Sequence, residues 1–278
     1  MKELYDSVSI RCSRLTTKAY STSFSLGILC LEKELRDPIY AIYGFVRFAD
    51  EIVDTFHDYN KQTLLNRFKE DTYRSIEEKI SLNPILNSFQ QTVNKFRIER
   101  DLIEQFLKSM EMDLLRKHYS EDTFKEYILG SAEVVGLMCL RVFTKGDRAM
   151  FEKLKPFAMS LGSAFQKVNF LRDLNADFLG MGRSYFPEID LSNFDEASKK
   201  RIEESILADF SHAFKGIKQL PKASRFGVYV AYVYYYALFK KIRNTPSELV
   251  LNKRIRIRNR HKARLLAYSF VKHQLNLI

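Results

Sequence analysis

Two aspartate pairs constrain this chain more than any other feature: Asp50 with Asp54, and Asp173 with Asp177. Each pair has four-residue spacing and interrupts a segment whose apolar residues recur with helical period. Residues four apart on a helix stack on one face, so each pair aims two negative charges at one spot. Like charges so placed destabilise the helix unless a cation offsets them. Clustered carboxylates suit Mg²⁺, a cation that takes oxygen ligands and is completed by waters and substrate phosphates. Two pairs facing each other across a cavity could hold a diphosphate through bridging metal ions. The chemistry served by that arrangement is an enzyme acting on diphosphate esters.

Either pair alone would read as a solvated helix face, since most exposed helix charges are only that. Two pairs, both set in apolar segments and both backed by polar residues, read as a site. Tyr43 and Arg47 precede Asp50 by seven and three residues. Gln166 and Asn169 precede Asp173 by seven and four, with Arg172 adjacent. A helix face buried in an apolar core does not ordinarily hold Gln, Asn and two Asp in register.

The rest of the chain reads as helix. Apolar residues recur at helical spacing over 38–56 (Ile39, Ile42, Tyr43, Val46, Ala49, Ile52, Val53), with Pro38 as the start signal. The same period predicts helices over 101–119, 123–143, 156–178, 196–218 and 225–243. The 123–143 segment carries Gly130, Ser131, Ala132 and Gly136, small residues that permit close helix approach. Residues 229–236 are β-prone by composition, but their length and flanks favour helix. With only 10 Gly and 6 Pro and no linker-like stretch, 278 residues form one domain, 1–278. The expected fold is all-α, a helical bundle around a central cavity.

The three cysteines, Cys12, Cys30 and Cys139, have no metal-ligand spacing and read as reduced thiols of a cytoplasmic protein. Residues 1–15 lack the apolar stretch of a signal peptide. The longest apolar run, 226–239, is too short for a comfortable membrane span. Net charge is +11, and seven of the twelve residues from 253 to 264 are Lys or Arg. Such a run serves as a solvated face, a lid over phosphate, or a contact for anionic lipid. Nucleic acid is the competing partner, but no DNA-binding motif accompanies the charge, so none is expected.

Residues 47–54, Arg-Phe-Ala-Asp-Glu-Ile-Val-Asp, resemble the first aspartate-rich motif of the squalene/phytoene synthase family, and residues 166–177 resemble its second. Further resemblances follow in the family's order. They are Tyr20-Ser21-Thr22-Ser23-Phe24 near the N-terminus, Met110-Glu111-Met112-Asp113 in the middle, and Gly182-Arg183-Ser184-Tyr185-Phe186-Pro187 after the second motif. Tyr235, Arg254 and Lys262 follow toward the C-terminus. One departure is Glu133, which stands where the family has a glycine in a small-residue run; it bears on the shape of the hydrocarbon channel.

The resemblance implies an isoprenoid-synthase-type bundle that condenses two prenyl diphosphates head to head. It implies Mg²⁺, or Mn²⁺ in its place, held by Asp50, Asp54, Asp173 and Asp177 with Asn169 as a further ligand and Gln166 as polar support. Arg47, Arg172 and Arg254 would grip phosphate oxygens with their guanidinium forks. Tyr43, Tyr127 and Tyr235 would hydrogen-bond diphosphate, or Tyr43 and Tyr127 are core tyrosines. Phe24 would face a carbocation. Ser21 and Ser23 would cap a turn or close the phosphate pocket, and Asp113 is open as a structural acceptor. The leading expectation is two geranylgeranyl diphosphates joined to phytoene without NADPH, in carotenoid biosynthesis. The alternative is squalene or dehydrosqualene formation from farnesyl diphosphate. Peripheral contact with the inner face of the membrane and hand-off to a carotenoid desaturase are the partners implied.

Overall fold

The computed structural model describes residues 1–115, 118–175, 184–187, 189 and 194–275. Helices occupy nearly all of them: α1 (Lys2–Tyr20), α2 (Thr22–Leu29), α3 (Lys33–Asp54), α4 (Lys61–Glu78), α5 (Pro84–Phe96), α6 (Arg100–Leu115) and α7 (Glu121–Ile128). A π-helical turn, Leu129–Glu133, joins α7 to α8 (Val134–Phe143). Then come α9 (Arg148–Asn175), α10 (Glu196–Ile217), α11 (Lys222–Arg243), α12 (Ser247–Asn252) and α13 (Asn259–Gln274). Among the described residues there is no strand; a lone parallel bridge joins His118 to Ser184. The all-α expectation holds.

Local chemistry sets many of the boundaries. Asn60 caps α4 by accepting the Thr63 N–H at 3.0 Å, and Asn83 caps α5 just ahead of Pro84 at the first helical position. Ser120 and Thr123 form a reciprocal capping box on α7. Asp195 caps α10 through the Ser198 N–H at 2.8 Å. Two helices begin earlier than their prolines predict. α3 starts five residues before Pro38, because burial of Leu35, Pro38 and Ile39 outweighs the one backbone bond that a proline forfeits. α9 starts at Arg148, where the Asp147 carboxylate accepts the Met150 N–H at 3.0 Å, and runs through Pro156.

Two apolar cores flank the middle of the molecule. In one, Phe45 of α3 stacks on Phe89 of α5 at 3.9 Å and tilts against Phe106 of α6 at 5.3 Å. All three are fully buried, and each such ring is worth about 2–3 kcal/mol of transfer free energy. In the other, Phe170 and Leu171 of α9, Ile206 and Phe210 of α10, and Phe239 of α11 pack together. α1 is joined to this framework by a polar seam, Ser13 meeting Ser88 of α5 at 2.6 Å.

Between the cores lies a cavity of about 490 Å³, walled by α2, α3, α8, α9, α10 and α11 and by the π-turn. The π-turn is wedged between α6 and α9. A Cβ on Gly130 would stand 2.6 Å from the Gln105 carbonyl, and one on Gly162 would stand 2.6 Å from the Ala132 carbonyl. Glycine at both places lets backbone touch backbone, as the small-residue pattern predicts for this stretch. The extra residue of a π-turn re-aims the side chains around it, a device common at functional sites.

Candidate active site

Two of the carboxylates stand where helix geometry favours them least. Asp50 and Asp54 occupy the last turns of α3, and Asp173 lies on α9. A helix C-terminus carries partial negative charge, so the end of α3 deepens the negative potential of the space that the three carboxylates share. All three line the cavity. Burial, and then the neighbouring Asp54, push the Asp50 carboxyl up to about 8. A cation in this space would relieve the repulsion. Asp177 and the Gly182-Arg183 start of the expected turn lie outside the described residues.

Arginines partly answer the charge. Arg47 lies 3.9 Å from Asp50, pairs with Glu51, and rests its guanidinium 4.2 Å above the Tyr20 ring. Arg172 bonds both oxygens of Asp173 through Nε at 3.1 Å. Arg254, in the segment between α12 and α13, reaches Asp173 Oδ1 through its Nε at 2.9 Å. Asn175 donates to the Leu251 carbonyl at 2.6 Å, which ties the end of α9 to α12 and so helps bring Arg254 over the site. Asp173 is thus held between two guanidinium groups from distant parts of the chain.

The other expected residues gather around these carboxylates. Asn169 donates to Gln166 at 3.4 Å, and its Oδ1 is buried with no hydrogen-bond partner. Tyr235 stacks on Phe165 at 4.0 Å, and Phe24 meets both rings edge-on at 6.4 Å. Phe24 also lies 5.6 Å from Tyr43. Burial, with Tyr235 next, pushes the Tyr43 hydroxyl up to about 12, so it stays a hydrogen-bond donor at neutral pH. Ser21 lines the cavity and caps α2 by accepting the Phe24 N–H at 3.2 Å. Ser23 is half-buried and is not among the residues lining the cavity. Lys262 of α13 donates to Thr22 at 2.8 Å, tying the basic C-terminal stretch to the α2 segment.

Asp113 is the centre of a network that the chain order conceals. Its carboxylate accepts the hydroxyls of Tyr127 at 2.6 Å, Tyr119 at 3.1 Å and Tyr185 at 3.2 Å. Asp113 and Tyr127 are 6 % and 3 % exposed, and with Tyr185 they line the cavity. Tyr127 is therefore both a core tyrosine with a satisfied hydroxyl and a wall of the site. The contacts of Tyr20 with Arg47 and of Tyr119 with Asp113 carried no spacing signal, because each pair meets only through tertiary packing. Glu133 does not line the cavity, so the expected effect on the channel is not direct. Burial, then Asp209, push its carboxyl up to about 7, with Lys167 opposing.

The residues present suit a divalent cation. Three carboxylates from two helices and the unpartnered Asn169 oxygen supply hard oxygen donors. Among the described residues no three acidic, His or Cys side chains converge tightly enough to cage a metal alone. Such a set needs substrate phosphates to complete it, which is how Mg²⁺ is commonly held.

The fold matches solved structures along almost its whole length. A dehydrosqualene synthase in complex with ligand superposes with a TM-score of 0.82 at 21 % identity, covering 97 % of this chain and 98 % of that one. Squalene synthase HpnC from Alicyclobacillus acidocaldarius gives 0.74 at 20 % identity, covering 84 % and 93 %. In sequence, the chain is 28 % identical over 262 residues to phytoene synthase 1 of Solanum lycopersicum, covering 87 % of this chain and 62 % of that protein. It is 26 % identical over 194 residues to 4,4'-diapophytoene synthase of Staphylococcus haemolyticus, covering 69 % and 67 %. The chain spans less than two thirds of the Solanum lycopersicum protein. The squalene/phytoene synthase family profile matches residues 17–261, and the chain belongs to that family.

Proposed function

We propose that this chain, as a single catalytic domain, condenses two geranylgeranyl diphosphates head to head to phytoene, through a cyclopropyl diphosphate, releasing diphosphate. The observation that carries the choice of substrate is the length of the cavity. Leu154 and Asp173 both line it and lie nineteen residues apart on α9, about 28 Å at the helical rise. Four carbon–carbon bonds of ~1.5 Å, shortened by their zigzag, advance roughly 5 Å per isoprene unit. A four-unit tail of roughly 20 Å, with its diphosphate among the carboxylates, suits that depth better than a three-unit tail of roughly 15 Å.

Asp50, Asp54 and Asp173, with Asn169, would hold Mg²⁺ or Mn²⁺, as would Asp177 from its place in the motif. The metal would supply neutralisation of the leaving diphosphate. Arg47, Arg172 and Arg254 grip phosphate oxygens. The rings of Phe24, Phe165 and Tyr235 present π faces and edges to the apolar side of the site, where a carbocation is stabilised by ring faces. The apolar walls exclude water that would capture the cation.

Among the described residues no helix is long and apolar enough to cross a membrane. Exposed Leu249, Tyr268, Phe270 and Val271 flank or follow the basic run, which supports contact with an anionic cytoplasmic membrane surface and delivery of product to a desaturase there. The test is product analysis with Mg²⁺, offering farnesyl and geranylgeranyl diphosphate separately, each with and without NADPH. Phytoene without reductant supports the reading. Product from farnesyl diphosphate alone refutes the choice of substrate.

A further inference from the structure

A buried ion pair stands outside the site. Lys199 and Glu203 of α10, 2 % and 8 % exposed, lie 2.8 Å apart. Charges so buried seldom add stability over apolar groups of like size, so the geometry they fix is the better account of them. What they fix is the turn from α11 into α12. The Lys199 ammonium donates to the Arg243 carbonyl at 3.0 Å, at the C-terminus of α11, where a cation is favoured. Just before it on α10, Glu196 accepts the Ser247 N–H at 2.5 Å. This supplies from another helix the cap that no side chain of Pro246 can give α12. The Ser247 N–H in turn holds the Glu196 carboxyl below its ordinary range. Asp195 caps α10 through the Ser198 N–H, so the gripping turn is itself fixed. Residues 243–247 are thus held at both ends by the start of α10.

That turn sets the direction in which α12 leaves α11, and Arg254 follows just beyond α12. Val250 and Ile255 are buried on either side of Arg254, and Lys241 of α11 donates to the Arg256 carbonyl at 2.8 Å. We propose that Glu196 and Lys199 are positioning residues for Arg254: their grip on residues 243–247 aims α12 so that Arg254 meets Asp173 at the phosphate end of the cavity. This rests on the reading of Arg254 as a group that grips phosphate. Neither Glu196 nor Lys199 lines the cavity, so any effect of changing them on phosphate binding travels through the turn and α12.

Glu196→Ala removes the acceptor from a side chain that is 64 % exposed, so the fold should survive. Ser247→Pro deletes the donor instead, at a first helical position that suits proline. Glu196→Gln keeps an oxygen acceptor and is the conservative control. Nuclear magnetic resonance of the metal-free protein reads the Arg254 Nε–H signal, assigned by its loss in Arg254→Ala. In wild type and Glu196→Gln it should stand apart from solvated arginines, because the Nε meets Asp173. In Glu196→Ala and Ser247→Pro it should move to the solvated position. With Mg²⁺, inorganic pyrophosphate should bind Glu196→Ala about fivefold more weakly, the factor that one hydrogen bond commands. KM should rise alike with little change in kcat. Adding Glu196→Ala to Arg254→Ala should weaken pyrophosphate binding no further, as for residues acting through one group. An unmoved Arg254 signal in the folded variants overturns the proposal, and so does an additive loss in the double variant. Should Arg254→Ala bind pyrophosphate as wild type does, the reading of Arg254 as a phosphate grip fails, while its Nε–H signal still decides the positioning.

Discussion

Replacing Asp113 removes an acceptor that three tyrosines share. Asp113→Ala leaves the hydroxyls of Tyr119, Tyr127 and Tyr185 without that partner, and Tyr127 is only 3 % exposed. A hydrogen bond to a charged group is worth about 1.5–3 kcal/mol, and an unsatisfied buried donor costs about 1–3 kcal/mol. The bonds from Tyr119 and Tyr185 are longer than that from Tyr127 and share one oxygen, so the contributions do not add fully. The expected loss is about 3–5 kcal/mol for alanine. It is about 1–2 kcal/mol for Asp113→Asn, which keeps one carbonyl acceptor. For a chain of this size the alanine loss lowers Tm by roughly 6–15 °C. Urea unfolding followed by far-ultraviolet circular dichroism measures the difference, and the near-ultraviolet tyrosine signal reports the cluster itself. Both variants lying within ~0.5 kcal/mol of wild type would refute the reasoning, since surface substitutions alone change stability that little.

Glu133 gives a pH-dependent prediction. Its folded pKa, about 7, lies above the ordinary 4.5, so its stabilising contribution is complete below about pH 4.5 and is lost as pH rises through about 7. Glu133→Gln should match wild type near pH 4 and exceed it by about 1–2 kcal/mol at pH 8, after allowance for solvent screening; a constant difference in urea unfolding at both pH values would count against this. Asp50→Asn should abolish turnover yet raise stability of the metal-free protein by about 1 kcal/mol, because it removes the cost of a buried carboxylate and then the repulsion with Asp54. Retained turnover would remove Asp50 from the site. Arg254→Ala should raise KM about tenfold with a smaller effect on kcat, read from initial rates, since Arg254 touches Asp173 from a half-exposed position. Chelation of divalent cations should stop turnover and added Mg²⁺ should restore it; activity that survives exhaustive chelation argues against metal dependence.

Much of this protein was legible from residue order because helical period is a local property. The periodic segments around Asp50, Asp113, Asp173 and Tyr235 all fold as helices. Polar helices were harder to see. α1 buries Ser9, Ser13 and Thr17 rather than an apolar stripe, so its packing face gives no hydrophobic signal. The π-turn was invisible for a related reason: its extra residue is accommodated by close contact with Gln105 and Gly162, which belong to other helices.

The sequence by itself determined that the chain is helical, that carboxylates recur in register, and that small residues in the 123–143 segment permit close helix approach. Those follow from side-chain type and the 3.6-residue turn. Tertiary structure alone decided that Arg254 reaches Asp173, that three tyrosines converge on Asp113, that Glu133 lies outside the cavity lining, and that Phe157 packs on Gly216. Each joins residues far apart in the chain, and such contacts are fixed by packing of whole helices rather than by any local preference.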